Sequence, residues 1–131
     1  MTRTQHIPRE HDDQRRESQQ RHSSPNGRYI SPHILHIIHQ FADESKQYLQ
    51  ENVVAEYLFG SYAKHTHTPF SDIDILVLVK HFTPEIQREL SGLASDYSLE
   101  YDVYISPIVK TLEVWEKNRY YRTLFYQEVT Q

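Results

Sequence analysis

The sequence predicts an α/β (α+β) domain in which helices flank a small three-stranded mixed sheet. Three observations predict it. Runs rich in β-branched and aromatic residues at 53–59, 72–79 and 98–105 alternate with stretches that carry an apolar stripe at helical spacing. Proline follows serine or threonine at 31–32, 83–84 and 106–107, the pattern of an N-cap with proline in the first helical turn. Finally, 131 residues without cysteine hold one hydrophobic core and no disulfide framework.

The domain is expected to span 30–131, behind a disordered tail at 1–29. Up to Arg28 the only large apolar side chains are Met1 and Ile7, too few to offset the entropy of ordering the segment. The tail's mixed charge and lack of an apolar stretch fit neither a secretory signal nor a membrane span. Ser31 then caps a helix whose stripe is Ile34, Ile37, Ile38 and Phe41, ending near Asn52. Val53 to Phe59 forms a strand closed by Gly60, and Ser61 to His65 a short helix. Asp72 to Val79 is the second strand, apolar on both faces in its second half and hence central. Thr83-Pro84 starts a helix with Ile86, Leu90, Leu93 and Ala94 on its buried face. Ser98 to Ile105 is the third strand. Ser106-Pro107 opens a helix with Ile108, Leu112 and Trp115, and after a break at Asn118 a last helix holds Tyr121, Leu124 and Phe125. Periodicity leaves strand order and direction open.

A formal net charge of −4 argues against a dedicated nucleic-acid surface, so no direct nucleic-acid partner is expected. The lack of cysteine excludes thiolate chemistry and fits a cytoplasmic protein. The longest apolar run, Ile75 to Val79, is far too short for a bilayer, so no membrane partner is expected either.

Chemistry concentrates at three places. Gly60-Ser61 lies where a strand turns into a short helix, and there free N–H groups and a side-chain-free backbone suit a phosphate. Ten residues later comes Asp72-Ile73-Asp74, whose carboxylates share one face of a strand. Asp102 stands in the third strand. Carboxylates grouped on one sheet face raise one another's pKa or bind a divalent cation. Magnesium suits such hard oxygen donors, and two ions about 3.5–4 Å apart clamp both oxygens of an in-line phosphoryl displacement. Gly-Ser after a strand is ordinarily only a turn, and Asp-x-Asp alone is ordinarily solvated. The two at this spacing arise by chance in roughly one chain of this size per several hundred.

Leu58-Phe59-Gly60-Ser61-Tyr62-Ala63-Lys64 followed by Ser71-Asp72-Ile73-Asp74-Ile75-Leu76-Val77 resembles the minimal nucleotidyltransferase (MNT) family of the DNA polymerase beta superfamily. Asn118-Arg119-Tyr120-Tyr121-Arg122 is similar to its closing helix. The resemblance implies a polymerase beta palm-like fold. It also implies nucleotide contacts from Gly60, Ser61 and Lys64, and two Mg2+ ions on Asp72, Asp74 and Asp102, with Asp102 helping to activate the attacking hydroxyl. ATP is then the substrate and AMP the group transferred. Members of this family commonly accompany HEPN-domain ribonuclease toxins and act as antitoxins that adenylylate a toxin tyrosine, which makes a cognate HEPN-type toxin the expected partner. Homo- and hetero-oligomers both remain open. The alternatives are a binding-only antitoxin with little catalysis and a small-molecule (aminoglycoside-like) nucleotidyltransferase. Two departures stand out. His65 occupies a position where relatives carry glycine, which implies a left-handed backbone there, and Lys64 stands for arginine.

Other candidates are weaker. Glu100 competes with Asp102 on the expected strand face. His65 and His67 read as loop histidines before they read as a zinc pair. No Gly-x-Ser-x-Gly elbow surrounds Ser61, so it is no hydrolase nucleophile. Arg119 and Arg122 fit a solvated helix face.

Overall fold

Ser31 and Thr83 cap the helices they announce: Ser31 Oγ accepts from Ile34 N at 3.2 Å and Thr83 Oγ1 from Ile86 N at 3.4 Å. The structure, a computed structural model, describes residues 4–8 and 29–130. Along the chain come β1 (Gln5–His6), α1 (Pro32–Leu49), a 3-10 turn (Gln50–Asn52), β2 (Val53–Phe59) and β3 (Ile73–Val79). Then follow α2 (Pro84–Tyr101), β4 (Ile105–Thr111), α3 (Leu112–Tyr121) and α4 (Leu124–Thr130). The strands form one mixed sheet in the order β1-β2-β3-β4. The β1–β2 and β2–β3 pairs are antiparallel and the β3–β4 pair is parallel, as the α2 crossover between them requires. Among the described residues, no helix is long and apolar enough to cross a membrane.

Both sheet faces are covered. Ile73, Ile75, Val77 and Val79 of β3 meet Ile37, Ile38 and Phe41 of α1 and Leu90, Ala94 and Tyr97 of α2 in the main core. Their neighbours Leu76 and Leu78 face the other way and join Phe59 and Val129, with Trp115 and Phe125 packed alongside. The α/β architecture is therefore the expected one, and the two-sided burial of β3 follows from its unbroken apolar run.

Four local expectations are corrected. The sheet has four strands, because residues 5–6 of the expected tail pair with Leu58 and Tyr57 of β2. Ile7, the tail's lone large aliphatic residue, is 3% exposed. The rest of that segment, 1–3 and 9–28, lies outside the described residues. The expected third strand at 98–105 is instead the last turns of α2 and its exit. Tyr97 meets Phe41 edge-on and Tyr101, four residues on, packs against Tyr97, so their aromatic character served the core rather than a strand. Ser106-Pro107 opens no helix and lies inside β4, at the sheet edge. There Gln87 of α2 donates from Nε2 to Pro107 O at 3.1 Å and accepts from Val109 N at 3.3 Å. It thus stands in for a further strand. Proline's missing N–H costs nothing on that outward side, so one dipeptide serves a helix start and an edge strand alike. The fourth correction, at 61–65, belongs to the site.

Candidate functional site

β2 ends at Phe59, and Gly60 takes φ +75°. A Cβ at Gly60 would overlap Asp74 Oδ2 and stand 3.2 Å from Asp74 Cγ. Glycine is required both for the backbone hand and for the carboxylate lying over it. The chain then makes a single turn rather than the expected short helix. Lys64 N donates to Gly60 O at 3.1 Å, Thr66 N to Ser61 O at 2.9 Å and His65 N to Tyr62 O at 3.3 Å. Among the described residues those turn bonds leave out the N–H groups of Ser61, Tyr62 and Ala63, so an anion would meet backbone donors there without a long helix behind them. His65 has φ 58°, the left-handed conformation its place in the motif implied. Lys64 sits on the same turn, half-buried.

Asp74 lies opposite Phe59 on β2 and opposite Ser106 on β4. It shares a face with Leu76 and Leu78, so the stripe that α4 covers farther along β3 turns into carboxylates at the strand's N-terminal end. Asp72 is exposed and Asp74 half-buried. Burial pushes the Asp74 carboxyl up to about 6, and the negative charges of Asp72 and then Glu128 add to the push. Asp72 and Asp74 therefore gather as expected. Glu128, on α4 beside the buried Val129, is a member of this charged neighbourhood that sequence reasoning missed. Its only signal is its place next to an apolar residue on a helix whose docking site no local pattern reveals.

Asp102 does not join this pair. It is the C-cap of α2, with φ 55° and ψ 45°, and Glu100 lies within the last helical turn, so neither projects from a strand. Asp102 lines a cleft together with Ile34 and Tyr62, which pack on the α1 side of the sheet, whereas Asp74 faces the α4 side. His65 and His67 are separately engaged. Gln5 Nε2 lies 3.5 Å from His65 Nε2, while His67 stacks on Tyr62 with ring centroids 4.1 Å apart and its Nε2 3.1 Å from Tyr29 O. Arg119 meets Glu116 on an exposed helix face at 3.5 Å.

Among the described residues, no group of three or more His, Asp or Glu is placed to hold a metal ion. The donor set is two carboxylates, and burial first, then the neighbouring Asp72 charge, holds the Asp74 carboxyl above its ordinary range. That fits a magnesium ion, which takes one or two protein carboxylates and completes its shell with water and substrate phosphate oxygens.

Comparison with known proteins gives the family. The family described as "Nucleotidyltransferase domain" matches residues 38–125, from α1 through the start of α4. Two proteins of Methanocaldococcus jannaschii, provisionally named protein adenylyltransferases MJ0141 and MJ1305, are similar to the chain. MJ0141 is 39% identical over 77 residues, 58% of this chain and 78% of its own length. MJ1305 is 30% identical over 79 residues, 58% of this chain, which thus spans about half of that relative (54%). No solved structure matches. The matched span contains Gly60, Ser61, Asp72 and Asp74 in the arrangement described above, and the chain belongs to the nucleotidyltransferase family, in its minimal form.

Proposed function

We propose that the protein is a magnesium-dependent protein adenylyltransferase. It would transfer AMP from ATP to a tyrosine of a partner protein, a HEPN-type ribonuclease toxin that the modification silences. The observation that carries this reading is the pair Asp72 and Asp74 at the mouth of the Gly60-Ser61 turn, joined to the names of the two relatives. Asp72 and Asp74 would hold the magnesium, which when bound neutralises phosphate charge and aligns the triphosphate. The N–H groups of Ser61 to Ala63 and the Lys64 ammonium would hold its outer phosphates. The acceptor's hydroxyl oxygen attacks the α-phosphorus, pyrophosphate leaves and the hydroxyl proton is released. Catalysis here is positioning and charge stabilisation, with no covalent enzyme intermediate. Asp102 stays outside the proposed metal set, since it caps the C-terminal end of α2 and does not share the β3 face that carries Asp74.

The test is label transfer. The purified protein is mixed with a HEPN-type toxin, magnesium and α-labelled ATP. Wild type is expected to label the partner on tyrosine. Asp72→Asn and Asp74→Asn should each lower the rate at least ~100-fold while leaving the fold intact. If wild type silences the toxin without transferring label, binding alone is the mechanism and the enzymatic reading fails.

A further inference from the structure

Asp102 is the acidic residue of the resemblance that the transfer site leaves unused. Its carboxylate is exposed and has no ion-pair partner among the described residues. It opens on a cleft of about 530 Å³ walled by Tyr29, Tyr62, Tyr104 and Ile34, with no lysine or arginine among the described residues of its lining. Tyr29 and Tyr104 are 59% and 58% exposed, while Tyr62 is buried and held flat by the stacked His67. The cleft also receives the C-terminal end of α2, whose dipole adds negative potential to that of the carboxylate. Tyrosine faces attract cations, and a free carboxylate at a helix C-terminus does the same. A neutral occupant would dehydrate Asp102 and give it nothing in return.

Planarity narrows the cation. A guanidinium can lie against a tyrosine ring while its edge forks to a carboxylate, whereas an ammonium is a hydrated point charge with no face to stack. Position supplies the use. Ser71 on the rim is the residue before Asp72, and Tyr104 also lines the adjoining groove that contains Asp72. We propose that this cleft seats an arginine side chain of the acceptor protein and so fixes the acceptor beside the reactive carboxylates. The inference rests on the protein-acceptor reading given above.

The experiment titrates the full chain with N-acetyl-L-arginine methylamide, following the backbone amides of Val103 and Tyr104 by NMR. The citrulline analogue, of the same shape but neutral, is the control. Saturable shifts are expected with the arginine probe, at least ~10-fold weaker with citrulline and with Asp102→Asn. Asparagine tolerates the left-handed cap, so that variant folds. Tyr104→Ala, at an exposed position, should weaken the probe as well. Equal binding of citrulline, unchanged binding by Asp102→Asn or no shift with the arginine probe overturns the proposal. Thermal stabilisation by magnesium and ATP is read in the same variants. Its loss in Asp102→Asn would make Asp102 a metal ligand and overturn the proposal too. Label transfer separates the two readings. Transfer to the partner with an acceptor KM that Asp102→Asn leaves unmoved removes the cleft's role. Failure of wild type to label any protein removes the acceptor reading itself.

Discussion

Gly60 shows how one residue couples backbone hand to chemistry. An alanine there meets two penalties, the left-handed φ of +75° and overlap with the Asp74 carboxylate. The first costs about 1–2 kcal/mol. The second is relieved only by turning Asp74 away, which moves a proposed metal ligand. Gly60→Ala should therefore lower unfolding free energy by at least ~1 kcal/mol and label transfer at least ~10-fold. Urea denaturation and the transfer assay measure the two effects. In an Asp74→Ala background the stability cost of Gly60→Ala should shrink towards the backbone part alone. An undiminished cost would show that the carboxylate is not what the glycine accommodates. Gly60, Asp72 and Asp74 were legible in the sequence because strand alternation and a strand-ending glycine are local rules. His65 was legible too, its φ of 58° matching a position where glycine was expected. Glu128 and the place of Asp102 were not, because both depend on which helix docks where.

The contact between α1 and β2 holds an element-scale charge that no local pattern foretold. Glu56 lies on β2 with 0% exposure, its Oε2 2.6 Å from Ser45 Oγ of α1, and that hydroxyl also lies 2.9 Å from Ala42 O. One hydroxyl proton cannot serve both acceptors. A protonated Glu56 resolves the conflict by donating to Ser45 Oγ, which leaves the serine proton for Ala42 O. Burial pushes Glu56 up to about 7, against the opposing pull of Ser45 and Lys46, and Oε1 has no partner. Because the folded value lies above the ordinary 4.5, this group's contribution is full below pH 4.5 and is lost as pH rises through about 7. Glu56→Gln keeps a donor towards Ser45 and cannot ionise. It should be nearly neutral at pH 5 and stabilise by about 1–3 kcal/mol at pH 8, read as melting temperature against pH. A variant less stable than wild type at pH 8 would mean that Lys46 holds the carboxylate as an ion. The same scale explains what was misread along the chain. The starts of α1 and α2 came from caps, which are local. The boundary between α2 and β4 came out wrong because Tyr97, Tyr101, Val103 and Ile105 are one aromatic and β-branched run that tertiary packing divides between a helix and a strand.

At the scale of the whole molecule, residues 4–8, which lie outside the family match at 38–125, tie α1, β2, the Gly60 turn and α4 to one another. Ile7 N donates to Glu56 O at 2.9 Å, and Lys46 Nζ of α1 donates to Ile7 O at 2.7 Å. Gln5 Nε2 donates to Ala63 O in the Gly60 turn at 3.3 Å, and Thr4 Oγ1 donates to Val129 O of α4. The segment thus ties together the two pieces that flank Asp74, the Gly60 turn and the helix carrying Glu128. Ile7 is its apolar anchor, and truncating a buried isoleucine in a closed core costs about 2–5 kcal/mol. A five-residue strap can undock instead, so the loss is capped by its own docking free energy, which the entropy of ordering it keeps small. Ile7→Asp in the full chain should therefore cost only about 1–3 kcal/mol, the lower part of the core range. Its larger signature should be local. Amide exchange should rise several-fold at Ala63 to His65 and at 124–130, with no comparable change at Ile75 to Val79, and label transfer should fall as the turn and α4 loosen about Asp74. Exchange that rises uniformly would mark Ile7 as ordinary core. Exchange and transfer both unchanged would mean that the turn and α4 keep their places about Asp74 without the strap.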